Sequence, residues 1–387
     1  MKYNFDAIID RRNTNSLKWK VAENELPMWV ADMDFETAPE IQAAIMERAK
    51  QGIFGYTIIP DEWYQAYIDW WGKRHDFDIK KEWLVFSMGV VPSISSIVRK
   101  LTTPAEKVLL QTPVYNVFFN CVLNNGRQVI ENPLKYDGVN YEIDFDDLEQ
   151  KLADEQTTMM ILCNPHNPIG RIWDRETLER IGELCDRYNV VVISDEIHCD
   201  LTDPGRDYVP YASVSEKCRD NSITCIAPTK TFNLAGIKSS AVVIPNKQLY
   251  HKVWRGLNTD EVAAPNAFSV DATVAAFTKG GEWLDELRAY IYENKKIAAN
   301  FIEKEIPQIK LTPSEATYLL WLNYPNMKGR ASEVSRFIRK KTGLFLSAGR
   351  RFGGNGGDFM RMNIACPKKV LYDGLERLKK GVEAEEE

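Results

Sequence analysis

Six short, almost wholly apolar runs punctuate the middle of the chain: Trp83–Phe86, Lys107–Gln111, Thr158–Cys163, Val190–Ser194, Ile223–Ala227 and Ser240–Ile244. Short runs with little polar alternation are the pattern of strands buried on both faces, as in a parallel sheet. Helical spacing of apolar residues fills most of the intervals. Arg175–Tyr188 is the clearest case, with Leu178, Ile181, Leu184 and Cys185 on one face. This alternation predicts an α/β domain with a mostly parallel sheet, whose ligands bind beyond the carboxyl ends of the strands.

After a long helical stretch over about 282–305 the pattern changes. Tyr318–Asn323, Leu344–Ser347 and Phe359–Ile364 read as strands, and Ala331–Lys341 and Val370–Val382 as helices, which predicts a smaller α+β domain. The expected division is 46–284 for the large domain and 285–387 for the small one, with the irregular residues 1–45 joining the latter. The acidic run Glu383–Glu387 reads as a frayed helix end.

Composition narrows the function. The chain of 387 residues is long enough for two cores, and its net charge of −6 argues against a nucleic-acid or anionic-membrane surface. The opening residues Met1–Asp6 lack the apolar core of a signal peptide, and no apolar run approaches a membrane span. The seven cysteines include no Cys-x-x-Cys pair, and Cys163, Cys225 and Cys366 sit in apolar runs as reduced core residues would. A reducing cytoplasm is the expected setting. The four histidines, His75, His166, His198 and His251, show no ligand spacing, so no metal site is expected.

Chemistry-bearing residues collect at the predicted strand ends. Lys230 follows the Ile223–Ala227 run, where a desolvated amine could lose its proton and form a Schiff base. Asp195 ends a buried run and needs a cation: either a structural partner or the protonated ring nitrogen of a cofactor. His198 lies three residues on, as a neighbour of that ring or an ordinary loop histidine. Asn164-Pro165-His166-Asn167-Pro168-Ile169-Gly170 is a turn whose Asn167 can also donate to a phenolate or carboxylate. Gly89-Val90-Val91 precedes the helix expected over Ile94–Leu101 and can offer backbone N–H groups to a phosphate; it is neither a Walker loop nor a dinucleotide fingerprint. Tyr115 is a half-buried tyrosine or a stacking platform. Arg361, inside an apolar run, needs an anion: an internal partner or a substrate carboxylate.

Taken in order, Gly89-Val90-Val91, Tyr115, Asn167, Asp195, Lys230 and Arg361 resemble the fold type I enzymes of pyridoxal 5'-phosphate (PLP), the aminotransferase class I/II superfamily. A narrower set resembles the MalY/PatB-type cystathionine β-lyases, or C-S lyases. Its members are Phe5-Asp6, Asp10-Arg11-Arg12-Asn13-Thr14, Lys18-Trp19, Met28–Phe35, Gly52–Thr57 and Ser194-Asp195-Glu196-Ile197-His198.

The resemblance implies a seven-stranded, mostly parallel sheet between helices and a catalytic Lys230 that anchors PLP. Gly89, Val90, Val91, Tyr115, Asn167, Asp195, His198, Thr229 and Lys238 would hold the cofactor, joined by Tyr56 from the partner subunit of a homodimer. Arg361, Asn167, Trp29 and Ala31 would hold an amino-acid substrate. Two departures bear on the phosphate: Ala227 replaces the usual Ser or Thr, and Lys238 the usual Arg, which removes a bidentate fork. The implied reaction is α,β-elimination from cystathionine, cystine or other cysteine S-conjugates, with Lys230 taking the Cα proton and a thiolate leaving from Cβ. An aminotransferase would use the same residues, and a regulatory or binding protein on the same fold is the third reading.

Overall fold

The computed structural model describes residues 2–387. Its main sheet has seven strands in the spatial order Leu84–Ser87, Ser240–Val243, Ser222–Ile226, Val191–Asp195, Thr157–Cys163, Lys107–Thr112 and Gln128–Pro133. Ser240–Val243 runs antiparallel to both neighbours, and every other pairing is parallel. The central strands are buried on both faces, which is why their sequences are almost continuously apolar.

Helices cover the sheet through the faces their periodicity defines. Arg175–Arg187 buries Leu178, Ile181, Leu184 and Cys185, and Asp174 caps its start by accepting from the Thr177 N–H. Val90–Leu101 buries Ile94, Ile97 and Val98. It begins four residues earlier than expected, because Pro92 falls in the first turn, where helix N–H groups have no internal partner and a missing one costs little.

A second sheet of four antiparallel strands is built from Lys310–Leu311, Leu319–Asn323, Phe359–Asn363 and Ser347–Ala348. The expected Leu344–Ser347 strand is divided. Leu344–Phe345 pairs in parallel with Leu26–Pro27 near the chain's start, and Ser347–Ala348 pairs with Met360 and Arg361. The long helix Gly281–Glu305 precedes this sheet, and the helices Ala331–Thr342 and Lys368–Glu386 share one apolar core with its strands.

Two expectations need correction. The edge strand Gln128–Pro133 was not among the apolar runs, because solvent reaches most of it and polar residues interrupt it. The acidic tail is not frayed. The last helix extends to Glu386, with Glu385 accepting from Tyr324 Oη at 2.9 Å and from Arg330 at 3.1 Å, and Glu386 accepting from Asn326 and Gln308 at 2.9 Å each.

Candidate active site

A cavity of about 210 Å³ opens at the carboxyl ends of the parallel strands, with the N-terminus of the Val90–Leu101 helix at one side. Asp195 is the last residue of its strand and Asn167 lies in the turn after the Thr157–Cys163 strand. That turn is tied to the Tyr115 loop through the His166 ring, whose Nε2 lies 2.8 Å from the Pro113 carbonyl. Asp195, Asn167, Tyr115, His198, Thr229, Lys230 and Lys238 all line the cavity, as do Gly89, Val90, Val91 and Ala31.

Lys230 sits in a one-turn helix, Pro228–Thr231, just beyond the Ser222–Ile226 strand. Its Nζ donates to the Ala31 carbonyl, which also accepts from Tyr318 Oη at 3.1 Å. Burial, then the cationic Arg361, lowers the Lys230 amine to about 8; Lys238 adds to the same effect.

Asp195 is buried, and its carboxylate accepts one hydrogen bond, from the Ile197 N–H at 3.1 Å. It forms no ion pair among the described residues, and burial pushes its carboxyl up to about 7. His198 is driven down to about 3, first by burial and then by Lys230 and Arg361, so its ring is neutral at physiological pH, with Nδ1 buried and unbonded.

Arg361 lies just behind the cavity wall. It donates to Asn167 Oδ1 and to the Trp29 carbonyl, each at 3.1 Å, and stacks 4.8 Å from the Phe352 ring centre. Its Nε is buried without a partner, and burial lowers it to about 10. Trp29 meets this region through its carbonyl, while its ring stacks on Phe345. Tyr56 lies outside the cavity and is fully exposed, as are much of Ile53, Phe54 and Ile58.

The groups fit PLP. A buried carboxylate without a cation suits a protonated pyridine nitrogen, and a desolvated amine suits the aldehyde. Free N–H groups at the start of Val90–Leu101, with Thr229 and Lys238 beside them, suit the phosphate. Gly89 precedes them at φ 151°, a conformation that L side chains rarely adopt.

Sequence reasoning missed the groups that roof this cavity. Asn363 donates to the carbonyls of Val30 and Asp32, and Asn233 bonds the backbone of Met33 and Phe35. Both carried a faint signal: Asn363 is two residues from Arg361 on the same strand, and Asn233 three from Lys230. Among the described residues, folding also gathers one possible metal-ligand group, His75, Cys199 and Asp200, that the sequence spacing does not show.

This fold is that of the fold type I PLP-dependent enzymes. Residues 24–378 match the family model for aminotransferase class I and II, and the chain belongs to that family. It is 43% identical over 382 residues to cystathionine beta-lyase PatB of Bacillus subtilis (strain 168), covering 97% of this chain and 99% of that protein. Among solved structures, cystalysin from Treponema denticola, which contains PLP, superposes with a TM-score of 0.95 at 33% identity, covering 99% and 100% of the two chains. The PLP-bound C-S lyase from Staphylococcus hominis gives 0.91 at 36% identity, covering 98% of each.

Proposed function

We propose that this protein is a PLP-dependent carbon–sulfur lyase of the cystathionine β-lyase type. It cleaves L-cystathionine and related cysteine S-conjugates by α,β-elimination, and water completes the balance to a thiol, pyruvate and ammonia. The observation that carries this reading is the Lys230–Asp195 pair: a buried amine lowered to about 8 and a buried carboxylate without a cation, in one cavity. The likeness to a cystathionine β-lyase over nearly the whole chain directs the reading to a sulfur leaving group.

PLP supplies an electron sink that lets the Cα–H bond of a bound amino acid break. The chain's residues do the rest. Lys230 would anchor the cofactor and, as a free amine, take the Cα proton on Nζ; an amine near 8 suits that work at neutral pH. Asp195 would be held charged by a protonated ring nitrogen, and neutral His198 adds no competing cation. Tyr115 would offer its ring as a stacking face. Gly89, Val90, Val91, Thr229 and Lys238 would hold the phosphate. Arg361, braced by Asn167 and the Trp29 carbonyl at the edge of the cavity, would offer its guanidinium to the substrate carboxylate, and Ala31 lines the cavity beside Lys230.

The working unit is a homodimer. The exposed apolar segment around Ile53, Phe54 and Ile58 supports a second copy there, with Tyr56 reaching its cofactor. We take residues 46–284 as the large domain and 285–387 with 1–45 as the small one. The pairing of Leu26–Pro27 with Leu344–Phe345 supports that division. No helix among the described residues is long and apolar enough to cross a membrane, and the burial of all seven free cysteines fits work in the cytoplasm.

The test is incubation with cystathionine and no keto-acid acceptor. Pyruvate and free thiol should appear in equal amounts. A strict requirement for an acceptor, with pyridoxamine phosphate left on the protein, would make it an aminotransferase instead.

A further inference from the structure

Five residues beyond the Asp195 carboxylate stands a second one, with no part in the chemistry above. Asp200 is buried and accepts three side-chain hydrogen bonds: from Thr231 Oγ1 at 2.8 Å, from Trp70 Nε1 at 2.9 Å and, on the same oxygen as Trp70, at 2.8 Å from His75 Nε2. Burial alone would raise its carboxyl, but His75, Thr231 and Trp70 together hold it below the ordinary carboxylate value. Asp195 and Asp200 thus share a segment and a degree of burial, yet one is saturated with donors and the other is nearly bare.

Thr231 directly follows Lys230 in the Pro228–Thr231 helix. A single turn cannot hold its own conformation, since helix nucleation costs more than one turn of hydrogen bonds returns. The direction of the Lys230 side chain must therefore be set by tertiary anchors. Three residues after Lys230 the backbone has one in Asn233, bonded to Met33 and Phe35. Directly after Lys230, Thr231 is fully buried, and its hydroxyl has one partner, Asp200. His75 ends the helix Asp61–His75 and faces a separate cavity bordered by Arg206 and Arg288, so the chain of contacts runs from that outer cavity to the turn carrying Lys230. The three possible ligand atoms of His75, Cys199 and Asp200 are close, but both Asp200 oxygens are already occupied, which favours a brace over a metal site.

We infer that Asp200 is a positioning residue, which fixes the Lys230 turn through Thr231 and is itself held from outside by His75 and Trp70. This rests on the proposed binding of PLP at Lys230. The test mixes PLP-free protein with PLP and follows the rate at which the visible absorbance band grows. Thr231→Val, which keeps the shape and removes the hydroxyl, should slow that rate about tenfold and lower kcat for cystathionine similarly, with KM within about twofold, as loss of one hydrogen bond to a charged group implies. Thr231→Ser should restore both. Thr231→Val with a wild-type rate, or Thr231→Ser as slow as Thr231→Val, would overturn the inference. So would a fall in the melting temperature of the PLP-free variant with the rate unchanged, since that is what packing alone would give. Asp200→Ala strands three buried donors and is prone to misfold, so His75→Ala provides the second arm: about threefold slower band growth supports the brace, and an unchanged rate removes His75 from it. If wild-type protein formed no band at all, the PLP reading itself would fail, an outcome distinct from a wild-type band that the variants leave untouched.

Discussion

Two groups of buried or half-buried charge lie on opposite sides of one stretch of backbone, Trp29–Asp34. On the outer side Lys18 donates to Asp34 at 2.8 Å and to the Asp32 carbonyl at 3.1 Å, Arg11 pairs with Asp34 at 2.8 Å and Asp32 at 3.1 Å, and Trp19 Nε1 adds a donor to Asp34 at 2.8 Å. Two cations meet two anions there. On the inner side Arg361, Asp195 and the Lys230 amine are buried, yet no ion pair joins any of them, and the two cations make do with the carbonyls of Ala31 and Trp29 and the Asn167 amide. The outer group spends its charge on holding the backbone in place. The inner group keeps its charge available, at the cost of displaced pKa values, and that is what a site awaiting a charged cofactor and substrate requires.

The contrast can be broken at several points. Lys230→Ala should abolish the visible band with PLP and lower turnover by about 10⁴-fold or more, since it removes anchor and base together; absorbance and pyruvate release measure both. Lys18→Met should instead cost about 3–5 kcal/mol of stability, the usual consequence of stranding one member of a buried pair. Its melting temperature should fall by several degrees while turnover of the folded protein stays within about threefold. If Lys18→Met were as inactive as Lys230→Ala, the division between holding and reacting charge would be false. Arg361→Ala should raise KM for amino acids about tenfold or more, as loss of a charged hydrogen bond of about 1.5–3 kcal/mol implies. Arg361→Lys should not restore it, because a point charge lacks the planar fork.

A smaller effect tests the bare carboxylate. The Asp195 carboxyl is raised on folding to about 7, so its contribution to stability is complete below its unfolded value near 3.8 and is lost as pH rises through 7. PLP-free Asp195→Asn should therefore melt about 2–4 °C above PLP-free wild type at pH 8 and show no such gain at pH 4. Glu196, also raised to about 7, chiefly by burial, is present in both proteins, and the Asp195 charge is the smallest cause of its shift. Smallest of all, removal of residues 383–387 should lower the melting temperature by about 1 °C and leave turnover intact, because the bonds it deletes lie at the rim of the small sheet.

How much of this was legible follows from where each group gets its signal. Buried parallel strands such as Val191–Asp195 advertise themselves as apolar runs, and the functional residues at their ends stand out because a charge beside such a run is conspicuous. Gln128–Pro133 gave no such sign, because an edge strand spends part of its sequence on solvent. The roof of the cavity was legible only through the family resemblance, which names Trp29 and Ala31, and for a different reason. Ala31 acts through its carbonyl, which every residue has, and its approach to Lys230 across 199 positions is a product of the tertiary fold alone. Asp200 was overlooked beside the more evident Asp195 and His198, since nothing in the sequence places Thr231 against it.

The pairing of Leu26–Pro27 with Leu344–Phe345, and of Val30 and Asp32 with Asn363, sets a constraint on how the enzyme is made. A ribosome adds roughly 5–20 residues per second, so the segment that roofs Lys230 is synthesised on the order of tens of seconds before the strands it docks on. Until then the floor of the cavity stands open, with its amine and carboxylate wetted. The complete cavity therefore forms only near the end of translation, and a nascent chain holding the whole main sheet but stalled before residue 344 would carry the main-sheet groups proposed for the cofactor with no docked roof above them.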